Sequence, residues 1–418
     1  MAEHADREYF VPIGVADLVD FLTTGKGARV DPNPLPQDDQ AAFRRLADRL
    51  IDHYHHEFHA RFRRIKDAYA PFDPDRDTVA IEQLSAEDQD RAIMRLFHEI
   101  KGLLEKANYE ELSRDEAQRT MQGASLWGLD MDVDWSVFDH IELYYRGDTV
   151  GTRTARRWWK LWTPEEVTVP VFVRLVVILK QKPHKRLGKE ADTRSVFMKI
   201  FKDMPKPDIE MVLPGTRIKL TKLDRGLIFY PLVSGFALFF YKLLAEWFGF
   251  GDIFSIAGGI SLSWSLGLLF AGYGYKSYAS YTNKKTAYTL QLTQSLYFQV
   301  IDSNAGVFFR LLDEAEEQET REALLAYYYL WTQPPGSAMT AAALDDRVED
   351  DLERRLGIKV DFEIADALGK LEALNLVQPL GDGYQAIPIH QAIEAVGGYS
   401  PARESSPRWD VPERMTRS

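Results

Sequence analysis

The chain has 418 residues, no cysteine, 45% hydrophobic and 27% charged side chains, and a formal net charge of -12. Such a composition excludes collagen-like, low-complexity and largely disordered chains, and the absence of cysteine excludes disulfides, thiolate metal sites and cysteine nucleophiles. The net charge conceals blocks: residues 1–145 carry 17 Lys and Arg against 30 Asp and Glu, residues 146–225 carry 19 against 9, and residues 302–395 carry 7 against 19.

The acidic N-terminal block reads as helical. Phe43, Leu46, Leu50, Tyr54, Phe58, Ile65 and Tyr69 recur at three- and four-residue steps, which predicts an amphipathic helix over Gln37 to Tyr69, begun by Asp38 and Asp39 and ended by Pro71–Pro74. A second helix is expected after Ser85, and the two form a helical hairpin. His55 and His59 stand four apart on the polar face of the first helix, a weak candidate pair for a metal, but without the spacing of a metalloprotease helix. Asp130, Asp132 and Asp134 alternate, but Trp135 stands where a calcium loop needs glycine; a loop leading into a strand is the better reading.

From Val137 the period changes to two. FDHIELYYRGD, TARRWWKLW, VTVPVFVRLVVILKQK and SVFMKIFKDM read as four strands, with turns at Gly147–Gly151 and Thr163–Pro164, so that Arg146–Asp148 falls in a hairpin turn. A short helix follows Asp208. Bases interleave with aromatics at Arg156, Arg157, Trp158, Trp159 and Lys160, and the basic surplus suits anionic lipid better than nucleic acid, given the acidic remainder of the chain.

Two apolar stretches then follow, 227–244 with the single charge Lys242 and 253–275 with none. At ~1.5 Å rise per residue each approaches the ~30 Å of a bilayer core, and the short link between them predicts a transmembrane hairpin. Arg217, Lys219, Lys222 and Arg225 before it and Lys276 after it place both flanks on the cytoplasmic side of a bacterial inner membrane, or the equivalent side of an organellar one. Gly259, Ser263, Gly267 and Ala271 recur every four residues, a small-residue face for helix packing within the chain or between copies of it.

The C-terminal block reads as long helices over 276–332, then helices over Thr340 to Leu356 and from Asp361, then a turn at Gly381-Asp382-Gly383 and a strand. Helices followed by a hairpin resemble a winged helix. Its would-be recognition helix carries Asp361, Glu363, Asp366 and Glu372 against Lys370 alone, which disfavours DNA and favours a protein partner.

Phe201–Gly215, Leu296–Gln299, Asp302–Gly306 and Leu311–Glu319 resemble motifs of the transmembrane protein 143 family, over roughly residues 40 to 395. The resemblance implies two membrane spans and transfers no catalytic residue or cofactor. The expected organisation is an α+β membrane protein: a helical region (1–130), a small antiparallel β-rich domain (131–225), a two-helix transmembrane hairpin (226–275), long helices (276–332), a winged-helix-like domain (333–396) and a disordered tail (397–418). The functional expectation is a membrane scaffold or adaptor that touches anionic lipid and protein partners and can self-associate. An oligomeric pore or transporter component and a membrane-tethered enzyme acting on lipid are the alternatives. No residue set of a known catalytic type stands out.

Overall fold

A computed structural model of the chain describes residues 7–78, 85–121, 130–156, 164–219, 297–334 and 336–397, with scattered positions between 233 and 290. In chain order the helices and strands are α1 (Val15–Thr24), α2 (Gln37–Tyr69), α3 (Ala86–Lys106), β1 (Glu110–Glu111), α4 (Arg114–Met121), β2 (Asp130–Asp132), β3 (Phe138–Arg156), β4 (Pro164–Gln181), β5 (Val196–Pro205), β6 (Arg217–Lys219), β7 (Val300–Ser303), α5 (Ala305–Trp331), α6 (Ala341–Leu356), α7 (Ile364–Ala373), β8 (Val377–Leu380), β9 (Gly383–Ala386) and α8 (Ile389–Gly397). They form two compact units, one from Met1–Pro71, Arg76–Glu110 and Phe308–Ser418, the other from Phe72–Asp75 and Glu111–Val307.

No helix among the described residues is long and apolar enough to cross a membrane. The expected fold class is corrected accordingly: the architecture is mixed helix and antiparallel sheet, and among the described residues no element is a membrane-spanning helix. Apolar length in a sequence states only that surface has to be buried, not which medium buries it. The segments 227–244 and 253–275 lie, apart from the helical positions Val233, Ala237, Phe240, Leu244, Gly272 and Tyr275, outside the described residues, as does 398–418.

In the first unit the expected helix over Gln37–Tyr69 is present with those bounds, and its apolar stripe, Phe43, Leu46, Leu50, Tyr54 and Phe58, is buried. Ser85 caps α3 by accepting a hydrogen bond from Asp88 N at 3.2 Å. α5 supplies the densest part of the core, an unbroken buried run from Ala323 to Leu330. Phe43 packs edge-on against Tyr328 at 5.6 Å and stacks on Trp331 at 6.0 Å. α6, α7 and the β8–β9 hairpin follow in the expected helix, helix, hairpin order. Gly383 is obligatory there, because a Cβ would meet the Met339 backbone at 2.7 Å where the Met339 and Tyr384 backbones exchange two hydrogen bonds.

The second unit is a five-stranded sheet in the order β1-β3-β4-β5-β7. β3 is one continuous strand of 19 residues, so the expected turn at Gly147–Gly151 is absent; Arg146–Asp148 is mid-strand, paired with residues 172–174 of β4. The strand accommodates Gly147 by a local left-handed residue, φ 73, rather than by reversing. One face buries Leu143, Leu175, Val177, Leu179 and Phe201 against Leu112, Ala117, Ile209 and Leu213. The short helix expected after Asp208 is a 3-10 turn over Lys206–Val212. The DMD triplet is also corrected from loop to strand: β2 pairs with β6, which sets Asp130 opposite Lys219 and Asp132 opposite Arg217.

Candidate functional site

The first unit contains a cleft of about 1320 Å³ lined by α3, α6 and the residues that lead into α7, with Tyr9 and Arg61 also in its lining. Its lining carries eight carboxylates against three Lys and Arg. The charges are unevenly placed: the α2 and α3 side mixes Arg61, His98, Lys101 and Lys106 with Glu99 and Glu105, whereas Asp345, Asp346, Glu349, Asp361, Glu363 and Asp366, on α6 and around the start of α7, are all acidic.

The acidic wall is held by a strap. Arg7 binds Glu349 at 2.6 Å and Glu353 at 2.9 Å, Glu8 forms a parallel bridge with Val360, and Glu349 accepts a further hydrogen bond from Phe362 N at 2.8 Å. Glu349 is thereby committed to structure. Asp345 is not: its Oδ1 is enclosed and lacks a hydrogen-bond partner. Desolvation, then the neighbouring Glu349, Asp361 and Asp346, push its carboxyl up to about 6. Glu363 is open to solvent on one side; desolvation on the other, with Glu322, Asp366 and Asp361 nearby, pushes it up to about 7. Both acids therefore exchange a proton near neutrality.

Behind the cleft lies a buried ionic network that ties its two walls together. Gln318, Glu319, Thr320, Arg321 and Glu322 of α5 are all buried, within a helix that is strongly acidic from Asp313 to Glu322. Lys106 of the α3 wall reaches Glu319 at 2.7 Å; Lys370 of α7 reaches the same carboxylate at 3.0 Å, binds Glu322, and binds Asp366 of the acidic wall at 2.7 Å. Gln318 donates to Glu322 at 2.6 Å and Asn108 donates to it at 3.3 Å. Burial pulls the Lys370 ammonium down, but attraction to Glu322, Glu319 and Asp366 outweighs it and holds the group above its ordinary range. Two ammonium groups face three carboxylates, and the excess negative charge matches the upward shift that burial imposes on Glu322. Tyr54 is buried beside this network, and burial raises its hydroxyl as well. The sequence held one signal of the network: Lys370 is the sole cation in the acidic stretch from Asp361 to Glu372, and it is the counter-charge to the buried carboxylates.

The residues expected to carry function do not meet in one place. His55 and His59 are exposed and stacked at 6.2 Å, with His55 Nδ1 3.2 Å from Glu316. Among the described residues no group of three His, Cys, Asp or Glu comes together to hold a metal ion. Arg156 ends β3, Arg217 and Lys219 bound β6, and Lys276 is an exposed helical position. Arg157, Lys160, Lys222, Arg225, Gly259, Ser263, Gly267 and Ala271 lie outside the described residues.

Residues 138–306 match a protein family described as of unknown function (DUF3754). The match takes in the long strands of the second unit and stops short of the cleft-forming elements α3, α6 and α7. No solved structure matches the chain.

Proposed function

We propose that the chain is a scaffold or adaptor whose acidic cleft holds a basic segment of a protein partner. The observation that carries this reading is the charge of the cleft, eight carboxylates to three cations, on walls cross-linked by a buried network. An open cleft with a net negative charge concentrates ligands of the opposite sign and speeds their arrival. It repels nucleic acid for the same reason. Asp346 and Asp361 are the carboxylates that meet the partner first, since Glu349 is engaged by Arg7 and Asp366 by Lys370.

The test is cross-linking of the full chain in cell extract, with the linked peptides mapped by mass spectrometry. Partners should attach through Lys101 and Lys106 by Lys- and Arg-rich segments. The double variant Asp346→Lys/Asp361→Lys should lose them while keeping its thermal midpoint. Unchanged cross-links in that variant would defeat the proposal. The raised Asp345 and Glu363 support a second reading, an enzyme that uses them as proton carriers. Asp345→Asn separates the two readings, because it would abolish turnover but leave partner capture intact.

A further inference from the structure

The acidic wall of the cleft already holds a basic side chain, and the chain itself supplies it. Arg7 lays its guanidinium between two carboxylates one turn apart on α6: Nη1 donates to Glu349 at 2.6 Å and Nη2 to Glu353 at 2.9 Å. Nη1 also donates to the Val360 carbonyl at 3.2 Å. The main chain joins in, since Glu8 bridges Val360 in parallel and Asp361 N donates to the Glu8 carbonyl at 3.0 Å. An extended segment bearing an arginine is therefore seated on the wall by both side chain and backbone.

The seat is shaped for arginine. Two carboxylates and a carbonyl match the planar fork of a guanidinium, which an ammonium cannot reproduce. The seat is also continuous with the cleft, because Glu349 and Asp361 belong to both. The strap is held unequally along its length. Val11 is fully enclosed; its N–H donates to Gln318 Oε1 at 3.3 Å and its carbonyl accepts from Arg321 at 3.2 Å. The Tyr9 carbonyl accepts from Asn108 at 3.0 Å. Arg7 and Glu8 lie beyond these anchors, and neither is fully buried. A rotation between Glu8 and Tyr9 frees the seat while the anchored part stays in place.

We infer, resting on the reading of the cleft as a site for a basic segment, that the partner's segment enters extended, sets an arginine between Glu349 and Glu353, and displaces Arg7. Asp346 and Asp361 collect the segment first, and the exchange at the seat follows. Glu349 serves the strap in the free chain and the partner in the complex, through the same kind of hydrogen bond. A strap that has to open first lowers the apparent affinity by the fraction of chains in which it is open. Weakly matched cations are thereby turned away, and a segment with a well-placed arginine is selected.

The experiment is calorimetric titration of the full chain with octa-arginine. Arg7→Gln should bind the peptide at least ~5-fold more tightly than Lys101→Gln, which changes the charge of the cleft equally but from the α3 side. The chain has no cysteine, so Glu8→Cys/Val360→Cys can be locked by a disulfide, the bridged positions being within its reach. The oxidised form should bind at least ~5-fold more weakly than the reduced form. Octa-lysine, of equal charge, should bind Arg7→Gln more weakly than octa-arginine does. Binding by Arg7→Gln alone supports the displaced strap. Equal affinity of Arg7→Gln and Lys101→Gln, undiminished binding by the oxidised form, or equal affinity for octa-lysine overturns it and leaves the acidic cleft standing as a site for basic segments. No binding by any form defeats the cleft as such a site, and the displaced strap with it.

Discussion

The two units handle buried charge in opposite ways. In the first, Glu319 and Glu322 are almost fully buried, and each has a lysine and further donors around it. In the second, Arg146, Arg174 and Lys202 line up with one sign only. A compensated network fixes the relative position of the elements that contribute to it, here α3, α5 and α7. A row of like charges is held in place by the strand pairing that carries it, not by ion pairs between its members. The contrast teaches that side-chain ion pairs join the elements of the first unit, whereas the backbone ladder joins those of the second.

Substitutions sharpen this contrast, and the largest effect belongs to the network. Lys370→Met removes the ammonium shared by Glu319, Glu322 and Asp366 and strands buried carboxylates, which should cost about 3–5 kcal/mol in denaturant unfolding. A loss below ~1 kcal/mol would mean that water already screens the network. Next is Tyr329→Phe, which deletes the 2.6 Å hydrogen bond to the buried Asp351 carboxylate, itself bound by Arg355 at 2.9 Å. Its expected cost is about 1.5–3 kcal/mol, measured in the same way. In the sheet the sign reverses: Lys202→Thr should stabilise by ~0.2–1 kcal/mol in chloride, since it removes a like charge and adds a β-branched residue. A destabilising result would show that the row is already balanced.

The pH dependence offers a subtler comparison. Asp345 and Glu363 have folded-state values above those of the unfolded chain, so the folded state holds their protons longer. Their contribution is present at about pH 4 and is lost as pH rises through about 6 to 7. Asp345→Asn and Glu363→Gln should therefore raise the thermal midpoint at pH 8 relative to wild type and leave it unchanged at pH 4. Equal shifts at both pH values would remove the titration as the cause. The smallest effect is expected at His55, whose exposed pairing with Glu316 is worth no more than ~0.5 kcal/mol.

How much of this was legible beforehand varies with the physics that decides each element. α2 and α3 could be read because a single apolar stripe at helical spacing both forms the helix and buries it. The interior of α5 could not: Gln318 to Glu322 look solvated until partners from Lys106 and Lys370, more than two hundred and nearly fifty residues away, are brought to them. β3 was misread as two strands because glycine usually signals reversal, whereas Gly147 is absorbed by a kink shared with Asp203 on another strand. The transmembrane hairpin was inferred from apolar length, and no described helix meets its requirement. The cleft was invisible because its walls come from residues near 100 and near 350, and only tertiary contact joins them.

The left-handed residues Gly147 and Asp203 lie close to where the sheet narrows. β5 accompanies β4 only as far as Val171, opposite Pro205, whereas β3 and β4 stay paired to Arg156 and Pro164. Beyond the kink the sheet is therefore a two-stranded ribbon extending ~25 Å, at ~3.4 Å per residue. Neither of its outer edges is paired with another named strand among the described residues. Two strands alone are marginal in water. Amide hydrogens between Thr149 and Arg156 should thus exchange with solvent well before those at 175–179, so that one strand spans both a lasting core and an early-opening arm.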